Sequence, residues 1–232
     1  MKLAALFSGG KDSTFAIYIA QQYGWEISHL VTIESESEES YMFHVPNIQL
    51  TGVLAEAMGI PIRVQKTAGH KEEELEDLKE VLMIPGIEGV LTGAIASDYQ
   101  WSRINRVGYE IGLCVFSPLW RKGHAMLVKD MIEAGFEIMI VGVYAYGLDE
   151  NWLGRILDME AFNELIALRE KYGISPAGEG GEFETLVLNA PNFRKRLVVD
   201  EMEKEWHRDS GSVRVKRARL EGKANDFRET IS

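Results

Sequence analysis

Ser8-Gly9-Gly10-Lys11-Asp12-Ser13 stands between an apolar run at residues 3–7 and a helix-period segment at 13–23, and these six residues decide the fold. Two adjacent glycines let the backbone turn closely about a ligand. The N–H groups that open the following helix point outward with the positive end of its dipole. A loop so placed is an anion cradle, to which Ser8 and Ser13 add hydroxyls and Lys11, read as an exposed loop side chain, adds a point charge. Phosphate is the expected ligand; the plain alternative is a tight turn capped by Asp12 or Ser13. The spacing is neither the GxxxxGK[ST] of a Walker A loop nor the GxGxxG of a dinucleotide fold.

Outward from the loop, apolar runs of strand length recur at 29–33, 89–92, 113–116 and 137–143, with helix-period segments between them. Phe15, Tyr18 and Ile19 share one face of the 13–23 segment, and Gly24 is placed to stop it. A second helical segment is expected at 46–58, opened by Pro46 and closed by Gly59-Ile60-Pro61, with another strand at 60–67. Strands that are apolar throughout, alternating with helices, predict a doubly wound parallel α/β sheet covered on both faces. Glu34, Glu36, Glu38 and Glu39, and the acids between 72 and 80, read as solvated faces. Beyond residue 120 the chain becomes glycine-punctuated, with a helix expected at 158–172. Two strand-like runs about Asp209-Ser210-Gly211 then predict a hairpin. Residues 194–219 hold nine Lys or Arg against five Asp or Glu, a basic patch suited to docking a protein substrate. The organisation expected is a phosphate-binding α/β domain at 1–120, a smaller α/β substrate-binding subdomain at 121–222 and a polar tail at 223–232.

The 232 residues carry 25 Lys plus Arg against 36 Asp plus Glu, a net charge of −11. With 46% hydrophobic and 26% charged residues the composition is that of a globular protein, and its acidity excludes a general nucleic-acid binder. A single cysteine, Cys114, expected to pack inertly in a buried strand, excludes a disulfide framework or a Cys-rich zinc site, and fits a reducing cytoplasm. The apolar N-terminal run is too short for a signal peptide, and no stretch approaches the roughly 18 apolar residues of a membrane span. A homo-oligomer is left open.

The loop matches the PP-loop of the N-type ATP pyrophosphatases. Ser40-Tyr41-Met42-Phe43-His44, Gly93-Ala94-Ile95-Ala96-Ser97-Asp98-Tyr99-Gln100 and Gly178-Glu179-Gly180-Gly181-Glu182-Phe183-Glu184-Thr185 together resemble the diphthine–ammonia ligase family. The resemblance runs over almost the whole chain, with Pro118-Leu119-Trp120 and Gly147-Leu148-Asp149 between the larger blocks. It implies a PP-loop, HUP-like domain that uses ATP and Mg²⁺. The loop would hold the β- and γ-phosphates as leaving pyrophosphate. Diphthine on translation elongation factor 2 would be activated to an acyl-adenylate, and ammonium would then give the amide and release AMP.

Site roles follow from the same resemblance. Ser8, Gly9, Gly10, Lys11, Asp12 and Ser13 would bind the nucleotide, with Thr32 and Ile33 at the adenosine and Gly93 and Ala94 at the ribose or α-phosphate. Lys11 and Asp12 would act in catalysis, Asp12 also as a Mg²⁺ ligand. Arg103 could grip a phosphate or carboxylate in bidentate fashion. Ser97, Asp98, Tyr99 and Gln100 suit substrate recognition, with Asp98 as an ordinary helix N-cap the plainer reading. Glu179, Glu182 and Glu184 could attract ammonium, accept its proton or bind the trimethylammonio group of diphthine, or could be exposed acids of a glycine-rich turn. Glu182, flanked by Gly181 and Phe183, is the first choice. His44 could lie over the nucleotide or serve structure alone. Sulfur insertion is disfavoured because the chain shows neither exposed cysteines nor an added RNA-binding domain. Two other readings stay open: a PP-loop adenylating ligase for a small carboxylate, and an ATP-binding sensor without turnover.

Overall fold

The computed structural model describes residues 1–35, 47–68 and 73–223. Its first sheet holds β1 (Lys2–Leu6), β2 (Glu26–Ser35), β3 (Ile62–Thr67), β4 (Gly89–Leu91) and β5 (Cys114–Phe116). All pairings are parallel, in the order β3-β2-β1-β4-β5. Strand alternation divides β1 between two cores. Leu3 and Ala5 pack with Phe15 and Ile17 of α1 (Lys11–Gln22) and Leu54 of α2 (Thr51–Met58). Ala4 faces Leu75 and Leu78 of α3 (Glu73–Leu82) and Ile104 and Val107 of α4 (Asp98–Glu110). Helices therefore cover both faces, as the uninterrupted apolar strands predict.

A second sheet is antiparallel, in the order β7-β6-β9-β8, built from β6 (Glu137–Val143), β7 (Phe183–Asn189), β8 (Lys195–His207) and β9 (Ser210–Gly222). Here the expectation that 137–143 joins a parallel sheet is corrected. Six of the seven β6 residues are buried, so the strand is apolar throughout because both its faces are covered, whatever the direction of its neighbours. α5 (His124–Glu133) and α6 (Met159–Tyr172) complete this half. Ile138, Ile140, Leu186 and Leu197 lie in the same hydrophobic cluster as Phe15 and Leu54, so one core joins the two sheets. The pairing of β6 with β9 ends at Ser212. Beyond it Asn47, at a left-handed φ of 64°, continues the ladder with its side chain: Nδ2 donates to Val213 O and Oδ1 accepts from Val215 N, both at 2.8 Å.

Several local expectations shift. The 46–58 segment resolves into a 3-10 turn, Ile48–Leu50, and then α2; Pro46 lies outside the described residues, as do Glu36, Glu38 and Glu39. α4 is capped by Ser97, whose Oγ accepts from Gln100 N at 3.3 Å, so Asp98 is the first helical residue and not the cap. Glu74 is only 1% exposed, because it falls on the inward face of an otherwise solvated α3. Cys114 is exposed, since it opens β5, the edge strand. It sits level with Gly89, at the end of the sheet opposite the loop 8–13. The hairpin turns at Arg208 and Asp209, one residue earlier than read, with Arg208 taking the positive φ of 58°. Three of its basic residues are matched across the ladder: Lys216 to Glu203 at 2.6 Å, Arg217 to Glu201 at 3.8 Å and Arg219 to Asp200 at 3.2 Å. Of the tail, residues 224–232 lie outside the described residues.

Candidate active site

β1 and β4 are neighbours in the sheet, yet β1 leads into α1 on one face and β4 leads toward α4 on the other. The chain diverges there, and the carboxyl ends of the two strands open a crevice where ligands of such sheets bind. The cleft measures about 480 Å³. Its walls are the loop after β1, residues 92–94 after β4, the inward face of α4 and, from the second sheet, the segment 178–185.

The loop is held from both sides. Gly9 has φ 79°, the left-handed conformation that favours glycine, and a Cβ there would fall 2.8 Å from Leu54 Cδ1, so that leucine would have to shift. Its carbonyl accepts from Val187 N at 3.0 Å, while Lys11 N donates to Thr185 Oγ1 at 3.1 Å. β7 thus supplies the outer wall of the loop. No side chain caps the start of α1, whose N-cap is Gly10. Ser13 Oγ and Thr14 Oγ1 instead donate to Gly10 O at 3.1 and 2.8 Å, fixing the turn into the helix. On the other side, a Cβ on Gly93 would lie 2.6 Å from Ser13 N, so only glycine lets the end of β4 approach the start of α1.

Lys11 is not the exposed loop lysine expected. It is 3% exposed, its stem packs so that Nζ stands 5.6 Å from the Phe183 ring centre, and Nζ bonds Asp12 Oδ2 at 2.8 Å. The other Asp12 oxygen, Oδ1, is buried with no hydrogen-bond partner among the described residues. A hard divalent cation fits that vacant oxygen. No group of three or more His, Cys, Asp or Glu among the described residues could hold a metal unaided, so Mg²⁺ would be shared between Asp12, phosphate oxygens and water.

The three glutamates separate by their partners. Glu182, the first choice on sequence, does not line the cleft: its carboxylate accepts from Ser175 N at 2.8 Å and Gly180 N at 2.7 Å, stapling the loop before β7. Glu179 does line it, and bridges the two halves by accepting from Ala96 N at 2.8 Å; burial raises its pKa against the pull of that N–H. Glu184, half-buried in β7, lines the cleft too. Burial pushes it up to about 7, opposed by Lys11 and assisted by Asp12.

Ser8, Gly10, Lys11, Asp12, Ser13, Ile33, Gly93, Ala94, Ser97 and Gln100 also come together around the cleft. Thr32, 2% exposed, does not reach it; its hydroxyl donates to Phe7 O at 2.6 Å and braces the end of β1, leaving Val31 and Ile33 as the lining residues of β2. Asp98, Tyr99 and Arg103 do not line the cleft. Asp98 meets Arg121 at 3.2 Å, and the Arg103 guanidinium lies 4.7 Å from the Tyr99 ring centre. His44 lies outside the described residues. Two contributors were missed: Thr185, a polar residue placed inside an apolar strand, and His124, whose Nδ1 is 2.8 Å from Ser175 Oγ beneath the stapled loop. The buried threonine was the one available signal.

A glycine loop at the switch point of a 3-2-1-4-5 parallel sheet, opening a helix and with a buried lysine beside it, defines an α/β protein of the phosphate-binding, nucleotide-site kind. Profiles of the diphthamide synthase N-terminal and C-terminal domains match residues 1–115 and 124–220. The diphthine–ammonia ligase of Rattus norvegicus is 35% identical over 96% of this chain and 91% of its own length. That of Homo sapiens is 35% identical over 89% and 86%. The Schizosaccharomyces pombe relative is 35% identical over 92% of this chain but 38% of its own, longer sequence. The chain belongs to the diphthine–ammonia ligase family.

Proposed function

We propose that the protein is an ATP-dependent ligase that converts diphthine on translation elongation factor 2 to its amide, diphthamide, in the cytoplasm. The observation that carries this reading is the buried Lys11 beside open, glycine-lined space at the sheet's switch point, in a chain of this family. A carboxylate is a poor electrophile until it receives a good leaving group, and phosphate chemistry needs positioning and charge neutralisation above all. The start of α1 and Lys11 would hold the departing pyrophosphate. Mg²⁺, when bound, neutralises phosphate charge, and Asp12 Oδ1 would hold it. Ile33 and Val31 would meet the nucleoside, and Ser97 and Gln100 would face the incoming carboxylate. In this reading residues 1–120 bind ATP and 121–222 bind the modified protein.

The test combines the protein, ATP, Mg²⁺, ammonium and diphthine-bearing elongation factor 2, and follows AMP, pyrophosphate and the mass shift of a carboxyl-to-amide change. AMP with that mass shift is expected. AMP with small carboxylates alone would replace this reading with a small-molecule ligase, and ATP binding without turnover would replace it with a sensor.

A further inference from the structure

We infer that the cleft contains a built ammonium site in which the Glu184 carboxylate receives the cation and takes a proton from it; this rests on the ligase reading above. Glu184 stands in β7 opposite Gly142 of β6. The charged and titratable groups that face it are Lys11 and Asp12 of α1, Glu179 of the loop before β7, and Tyr144 just past β6. Of the three glutamates in this segment, Glu182 has two backbone N–H partners and Glu179 has one. Among the described residues no donor hydrogen-bonds the Glu184 carboxylate, although its side chain is half-buried in the wall of the cleft.

A half-buried carboxylate that has lost part of its water and has no protein donor leaves its cleft-facing side to a proton or a small cation. The neighbouring lysine does not fill that role, because Lys11 Nζ is held by Asp12 at 2.8 Å. Ammonium has four N–H donors and the size of a water molecule, and suits that place.

The chemistry balances as follows. One N–H pair of ammonium stays on nitrogen as its proton passes to a Glu184 oxygen, giving neutral ammonia. That lone pair attacks the acyl carbon of the adenylate, the bond from carbon to the phosphate oxygen breaks, and AMP leaves with those electrons. The new amide nitrogen then loses a second proton to water at the open mouth of the cleft. Burial, by raising the proton affinity of Glu184 to about 7, brings it nearer to that of the ammonium it must deprotonate.

The discriminating measurement uses two nucleophiles at pH 7 with the full-length protein, ATP, Mg²⁺ and diphthine-bearing elongation factor 2. Ammonium must lose a proton before it can attack, whereas hydroxylamine is already neutral. In Glu184→Gln the ratio of hydroxylamine-supported to ammonium-supported turnover should rise by about tenfold or more, within the range that general-base groups contribute. Glu182→Gln should leave that ratio as in the wild type. Parallel loss with both nucleophiles in Glu184→Gln, no loss with either, or a shifted ratio in Glu182→Gln would each overturn the inference while the ligase reading stands. Absence of AMP from the wild-type protein with this substrate would overturn the ligase reading itself.

Discussion

At the scale of single residues, the acidic side chains of the cleft tie stability to pH. Glu184 binds its proton more tightly folded, near 7, than at the ordinary carboxylate value of 4.5. The folded protein therefore holds more protons between those limits. The contribution is complete below the lower value and is lost as pH rises through the upper one. Each unit of difference corresponds to about 1.4 kcal/mol, so about 2 to 3 kcal/mol should disappear between pH 5 and pH 8. Glu184→Gln removes that dependence. Urea midpoints of variant and wild type should shift in the variant's favour on going from pH 5 to pH 8, and a constant difference would show that Glu184 ionises as freely as an exposed carboxylate. The glutamates also mark where sequence reasoning stops. All three sit in one glycine-rich stretch, and what separates them is which backbone amides converge on which carboxylate, a matter of loop geometry that no spacing encodes.

Among the elements, the joint between the halves rests on Asn47. Its amide stands in for a strand residue where β6 leaves β9, satisfying Val213 O and Val215 N at once. Asn47→Ala leaves one buried donor and one buried acceptor without partners, at about 1–3 kcal/mol each. A fall of roughly 3 kcal/mol in unfolding free energy is expected, seen as a lower urea midpoint with unchanged slope. Asn47→Asp should recover part of it, since a carboxylate can still accept from Val215 N but cannot donate to Val213 O. Elements of this kind were legible unevenly. The strand at 137–143 was read to the residue, and the parallel strands to within a few, because buried runs bounded by glycine and polar residues are local signals. The direction of β6 was not legible, since burial on both faces erases the alternation that marks most antiparallel strands. The exposure of Cys114 was not legible either, because edge and centre depend on the order of strands in space. Nor was the clamp at Asn47, whose partners lie 166 and 168 positions away.

For the molecule as a whole, charge is distributed as an acidic body with a hairpin whose excess of basic residues is partly matched across its own ladder. Neutralising Arg214, Lys216 and Arg217 to Gln should raise the KM for the protein substrate several-fold at low salt and leave that for ATP unchanged. The difference should collapse as ionic strength shortens the Debye length to about 3 Å near 1 M. An unaltered KM at low salt would remove the hairpin from docking. The pairs Lys216–Glu203 and Arg217–Glu201 are exposed and screened by solvent, so their loss should change stability little.

The wall that β7 provides for the glycine loop has a consequence for how the protein is made. Lys11 N and its partner Thr185 Oγ1 are 174 positions apart, and Gly9 O waits for Val187 N. A ribosome thus completes most of the chain before the loop acquires its outer support. Nascent or truncated copies carry the glycine motif without the strand that shapes it.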